Sequence, residues 1–179
     1  MLQELIFSGI GGQGAQSIGK LLANAANKEG KEVMWRPAFR GQMRGGISNC
    51  IISICDGPIT SPISNRYDAA IVLNGPALKH YEQLVKAGGI LVWECTNTRE
   101  AVTRDDIRIY ALPAYQKATV DLKNAKVMNM IMLGALLKIY PLVQIETVIA
   151  ELKETIPARH HDLLQLDEQA IELGMSLIP

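Results

Sequence analysis

Cysteine is scarce in this 179-residue chain, with Cys50, Cys55 and Cys95 as its whole complement. No C-x-x-C or ferredoxin-type spacing joins them, which excludes an iron–sulfur cluster held by this chain alone. If 47–55 is a strand, an offset of five puts Cys50 and Cys55 on opposite faces, so they neither pair nor chelate together. Buried, reduced thiols are the expectation. Net charge is absent as well: 18 basic residues balance 18 acidic ones, which leaves no electrostatic case for nucleic acid or an acidic membrane surface. No apolar run is long enough to span a bilayer, and no cleavable leader is visible ahead of the first strand, so the default location is the cytoplasm. Catalytic sets are missing too. There is no nucleophile elbow, no P-loop lysine and no cysteine beside a base. His160-His161-Asp162 resembles a metal cluster only on paper, because adjacent residues do not face one way and His80 is distant; it reads as a helix start.

What is present is apolar. Hydrophobic residues make up 48% of the chain and charged ones only 20%, which implies that some apolar surface is covered by other subunits. The length suits one domain, 1–179, able to bury about 70% of its unfolded surface. Leu5-Ile6-Phe7 reads as a short buried strand. Gly9, Gly11 and Gly14 form a G-x-G-x-x-G turn after it, with an additional glycine at Gly12, and Ile18, Leu21, Leu22 and Ala25 recur at helical spacing. Strand, glycine turn and helix make the opening of a nucleotide-binding-like βα unit, in which exposed N–H groups and a helix N-terminus favour an anion.

Further strands are expected at Glu32–Trp35, Ile47–Cys55, Asp68–Leu73, Ile90–Trp93 and Ile107–Leu112, with a short edge segment at Ile59–Ile63. Lys28–Lys31 and Lys86–Gly89 read as turns. Pro76 starts a helix of about ten residues, and Pro113 opens a helical region broken near Asn124. A helix at Ala125–Tyr140 is apolar on nearly every side, hence buried or in an interface. An amphipathic helix at Ile145–Glu154 and a last one, capped by Asp167 and ending near Gly174, complete the chain. The fold class is α/β: a three-layer open sheet, mostly parallel, with a glycine-rich β1–α1 turn and a helical C-terminal region.

The ligand crevice belongs at the strand C-terminal ends, which carry Gly9–Gly14, Asn74-Gly75 and Glu94-Cys95. Glu94 has the position of an acid/base group but reads as a solvated loop carboxylate. The second strand ends Trp35-Arg36-Pro37 without the acid that would hold an NAD ribose; Arg36 leaves an NADP-binding regulatory module as the alternative. The loop Phe39–Gly46 carries Arg44 ahead of Gly45-Gly46, a pattern that suits a bidentate anion contact or, equally, an internal or intersubunit salt bridge.

Gly9-Ile10-Gly11-Gly12-Gln13-Gly14, then Met43-Arg44-Gly45-Gly46 with Ser48-Asn49-Cys50, Ser61-Pro62-Ile63, Asp68–Asn74 and Asn129–Leu136 follow one another in the order seen in a known family. Through them the chain resembles the gamma subunit of 2-oxoacid:ferredoxin (acceptor) oxidoreductases. It departs at Phe39-Arg40-Gly41-Gln42, where the family carries a Tyr-Gly-Pro-Glu-like run, and this bears on substrate specificity.

The resemblance implies a multi-subunit enzyme that decarboxylates a 2-oxoacid oxidatively to an acyl-coenzyme A, with electrons passing to ferredoxin. The 2-oxoacid is 2-oxoglutarate ahead of branched-chain 2-oxoacids and pyruvate. Alpha and beta subunits would hold thiamine diphosphate and Mg2+, a ferredoxin-like delta subunit the iron–sulfur clusters, and this chain no cofactor alone. Its expected role is assembly and shaping of the coenzyme A or substrate approach. Gly9, Gly11, Gly12, Gln13, Gly14, Arg44, Gly45, Gly46 and Asn49 would line that anion-accepting or subunit-docking surface, while the Asn129 helix packs, with Gly134 permitting close approach. The small subunit of indolepyruvate:ferredoxin oxidoreductase shares these motifs.

Overall fold

The computed structural model describes residues 1–39, 46–59, 65–96, 98–156 and 161–179. In chain order the elements are β1 (Gln3–Ile10), α1 (Ala15–Lys28), β2 (Glu32–Phe39), β3 (Ile47–Cys55), β4 (Tyr67–Val72), α2 (Gly75–Glu82), β5 (Val85–Glu94) and β6 (Arg108–Leu112). Then come α3 (Ala114–Val120), a 3-10 turn at Ala125–Val127, α4 (Met128–Ile139), α5 (Ile145–Thr155) and α6 (His161–Ser176). The strands form one sheet in the order β2-β3-β1-β4-β5-β6. β1, β4, β5 and β6 pair in parallel, and β3 runs antiparallel to both β1 and β2. The mostly parallel α/β sheet is therefore present, with one reversed strand inserted beside β1.

Strand β1 is buried at six consecutive positions, Glu4 to Gly9, because helices cover both of its faces. Leu5 and Phe7 point to one side with α1, α4, α5 and α6, while Ile6 points to the other with α2. The layers are lopsided. The single eight-residue α2 forms one, and the rest of the helices form the other. Helix α1 buries Ile18, Leu22, Ala25 and Ala26 against the sheet, and its Gly19 lies so close to β3 that a Cβ would stand 2.2 Å from the Cys50 sulfur. It ends in a Schellman motif: Gly30 adopts φ +78°, its N–H bonds Asn27 O at 3.0 Å, and that of Lys31 bonds Ala26 O at 3.1 Å. Helix α4 is buried at every position from Met128 to Leu137.

Several boundaries differ from the sequence reading. β2 runs through Pro37 to Phe39 rather than stopping at Trp35; it is an edge strand, where a missing N–H is tolerated. Lys86–Gly89 is not a turn but the start of β5. The β4–β5 register shifts from Tyr67↔Val85 to Ala69↔Ile90, Gly88 takes φ +74°, and Lys86 is pinned by Asp68 at 2.8 Å and Glu4 at 3.4 Å. Asp167 does not cap α6. It sits six residues inside a helix that begins at His161 and ends at Ser176. Of the segment Ile59–Ile63 only Ile59 is described, and it is not in a strand. Cys50 is buried, Cys55 and Cys95 are half-buried, and all three are free thiols. Among the described residues no helix is long and apolar enough to cross a membrane.

Candidate functional site at the sheet's C-terminal edge

The connection leaving β1 carries the chain to one side of the sheet, and that leaving β4 carries it to the other. In an open α/β sheet a crevice opens where connections diverge in this way. Here it lies between the ends of β1 and β4, and Gln13 closes its floor. Gln13 Oε1 accepts the Ile10 N–H at 2.7 Å, and its Nε2 donates to Leu73 O at 3.0 Å, so one amide ties both strand ends together. The glycines make this possible. Gly9 leaves room for Gln13 and Leu73, which would stand 3.1 and 3.3 Å from a Cβ, and Gly14 at φ +79° leaves room for Asn129. Gly12, at φ +96°, has open space above it.

Gln13 is thus a clasp rather than a ligand donor. The N–H groups of Ile10, Gly11 and Gln13 are likewise used inside the fold, on Gln13 Oε1, Gly46 O and Ile10 O. The Gly11 N–H donates to Gly46 O at 3.1 Å, which joins the start of β3 to the glycine turn. Arg44 and Gly45 fall outside the described residues, as do Arg40, Gly41 and Gln42. Asn49 is not at the crevice. It stands opposite Ser8 in the sheet, and its Nδ2 donates to the Tyr81 hydroxyl at 2.6 Å, which fastens α2 to β3.

Two adjoining lobes make up the cleft, sharing Gln13, Tyr115 and Met128. The first, ≈ 260 Å³, is lined by Asn74, Gly75, Glu94 and Thr98; the second, ≈ 220 Å³, by Gly12, Ala125 and Lys126. The N-termini of α1, α2 and α4 converge here. Helix α1 starts at Gly14 with no side-chain cap, and Asn129 in the first turn of α4 reaches Gly14 O at 3.4 Å. Partial positive charge from these helix ends, together with the exposed Lys126, favours an anion in the Gly12 lobe.

The other lobe differs in chemistry. Asn74 caps α2 by accepting the Ala77 N–H at 3.0 Å, which fixes its amide orientation and leaves its buried Nδ2 without an acceptor. Glu94 is buried rather than solvated, contrary to the sequence reading. Its Oε1 accepts the Thr96 N–H at 2.9 Å, the Thr96 hydroxyl, and the Tyr115 N–H at 3.2 Å at the start of α3. That carboxylate organises the strand end. Tyr115 itself stands 41% exposed over both lobes.

Neither nearby thiol is activated. Burial pushes Cys50 up to about 12, and burial with the Glu94 charge raises Cys95. Among the described residues no group of three or more metal-ligating side chains exists. Arg36 lies on the outermost strand, two strands from the glycine turn, paired across from Ile51. It is not where an NADP ribose phosphate would need it. Lys126, Tyr115 and Thr98 were invisible in the sequence as site residues. They reach the cleft from segments far along the chain, and the one local cue is Asn124, whose side chain caps the turn at Lys126.

The chain matches the family model described as pyruvate ferredoxin/flavodoxin oxidoreductase over residues 4–177. It is 30% identical over 159 residues to the 2-oxoglutarate synthase subunit KorC of Methanocaldococcus jannaschii, covering 88% of this chain and 85% of that one. Over 130 residues it is 33% identical to the ketoisovalerate oxidoreductase subunit VorA of Methanothermobacter thermautotrophicus; the match takes in 73% of this chain and spans only 27% of that relative's length. The solved gamma subunit of a keto/oxoacid ferredoxin oxidoreductase from Geobacter sulfurreducens superimposes with a TM-score of 0.84 at 25% identity, over 98% of this chain and 97% of that one. A sheet with the glycine turn at its switch point and a family match running nearly end to end lead to one assignment: the chain belongs to the pyruvate ferredoxin/flavodoxin oxidoreductase family.

Proposed function

We propose that this chain is the gamma subunit of a multi-subunit 2-oxoacid:ferredoxin oxidoreductase, and that its cleft receives the anionic part of coenzyme A as the acyl group is handed over. The observation that carries the reading is the pairing of helix N-termini with Lys126 around the open Gly12, on a chain without a catalytic or metal set among its described residues. Decarboxylation and electron transfer then belong to partner chains. Alpha and beta subunits supply thiamine diphosphate and Mg2+, and a delta subunit supplies clusters that pass electrons to ferredoxin. What this chain does is bind and orient. The Gly12 lobe stabilises negative charge, Arg44 with Gly45-Gly46 is a candidate second anion contact on its sequence pattern alone, and the Asn74–Glu94 lobe offers a donor and a carboxylate to the uncharged remainder of the ligand. Relatives named for 2-oxoglutarate and ketoisovalerate keep both substrates in view, and 2-oxoglutarate remains first.

In the reconstituted complex, Lys126→Ala is expected to raise KM for coenzyme A about tenfold, the loss of one charge-assisted contact, while kcat and the KM for the 2-oxoacid stay close to wild type. An unchanged KM for coenzyme A in both Lys126→Ala and Arg44→Ala would remove the anion from this cleft.

A further inference from the structure

On the helical side of the molecule, α1, α4, α5 and α6 line a second, half-open cavity of ≈ 250 Å³ that the proposed function does not use. Its walls are apolar: Leu21 from α1, Met130 from α4, and Leu152 and Ile156 at the end of α5. Two polar residues of its lining, Asn24 and Thr155, are already engaged with Glu151. Lys20 and Asp167 also line it, from α1 and α6, yet they form no ion pair with each other or with any other described residue. A half-buried carboxylate and an exposed ammonium thus stand at one apolar space without neutralising each other. Asp167 meets only the cost of burial there.

An unpaired carboxylate in a poorly solvated place attracts a cation, and an exposed ammonium at the mouth of the same space offers an anion its contact. A ligand carrying both, with an aliphatic body between the walls, satisfies the cavity without adding net charge. Size narrows the class further. A cavity of about 150 Å³ already holds a benzene ring, whereas drug-sized or nucleotide ligands occupy about 300 Å³ and more. We propose that this cavity binds an apolar α-amino acid of about leucine size. Asp167 receives the ammonium, Lys20 the carboxylate, and Leu21, Met130, Leu152 and Ile156 the side chain. The site is separate from the cleft and stands whether or not that cleft takes coenzyme A.

The test is thermal unfolding of the full chain at neutral pH, titrated with L-leucine, with 4-methylpentanoate (no ammonium) and with isopentylamine (no carboxylate). Leucine raises Tm saturably, as a ligand selective for the folded state must, and each analogue binds about tenfold or more weakly for the lost charge-assisted bond. Asp167→Asn and Lys20→Met each weaken leucine binding about tenfold or more while remaining folded by circular dichroism. No saturable response to leucine overturns the proposal. So does a response to isopentylamine equal to that of leucine, or a leucine response that keeps wild-type affinity in either variant.

Discussion

Asp167 carries a charge that no other described residue neutralises, and burial pushes its carboxyl up to about 6. In the unfolded chain it titrates near 3.9, so between about pH 4 and pH 6 the folded state keeps a proton that the unfolded state has released. Stability therefore falls as pH rises through that window and stays at the lower level above it. Replacing the carboxylate by an amide removes the cost. We expect Asp167→Asn to raise unfolding free energy at neutral pH by about 1–2 kcal/mol, once solvent screening of this partly exposed group is allowed for, and to leave it unchanged near pH 4. Urea denaturation at the two pH values measures this, and equal stability of the two proteins at neutral pH would contradict it. Gln13 raises the complementary point. Its place in the glycine turn was legible in the sequence, but not its use: a side chain in such a turn reads as a ligand donor until Leu73, sixty positions away in sequence, is seen to accept its amide.

Among the elements, the α4–α6 contact rests on two glycines that answer each other. A Cβ on Gly134 would stand 2.1 Å from Ile171 O, and one on Gly174 would stand 1.9 Å from Ile131 O. Backbone faces backbone on both sides, so neither neighbour has a flexible side chain to move. Gly134→Ala must part the helices and is expected to cost about 3 kcal/mol, the upper end for overpacking, with Gly174→Ala similar and the pair together less than their sum because both widen one gap. Thermal or urea unfolding of the three variants checks it; a cost near zero for Gly134→Ala would mean the helices are not in this contact.

The all-round apolar pattern at 128–137 made α4 legible as a buried helix, and the alternation of strands with helices made the sheet legible. Less was visible where long-range partners decide. Lys86–Gly89 has the composition of a turn, yet it belongs to β5, where Asp68 and Glu4 hold Lys86 and the Gly88 N–H bonds Asp106 O. Glu94 looks like any loop carboxylate until α3 supplies an N–H to it. The antiparallel β3 between β1 and β2 was not read at all, since nothing local records which strand a segment pairs with.

At the scale of the whole molecule, the described residues hold no cluster able to bind a metal, and the cleft at the sheet edge is lined by Asn74, Glu94, Tyr115 and Lys126. The role proposed for the chain is within a multi-subunit complex. Its high apolar content agrees with that, and so does its match to a gamma subunit along nearly the whole length of both chains. The most direct measurement is anaerobic native purification of the tagged chain from its own cells, with partner masses determined and activity assayed against 2-oxoglutarate, branched-chain 2-oxoacids and pyruvate with coenzyme A. The account predicts co-purification with thiamine-binding chains and a small cluster-bearing chain, in a complex that reduces ferredoxin. Recovery of the chain alone, as a monomer or homodimer without such partners, would contradict it.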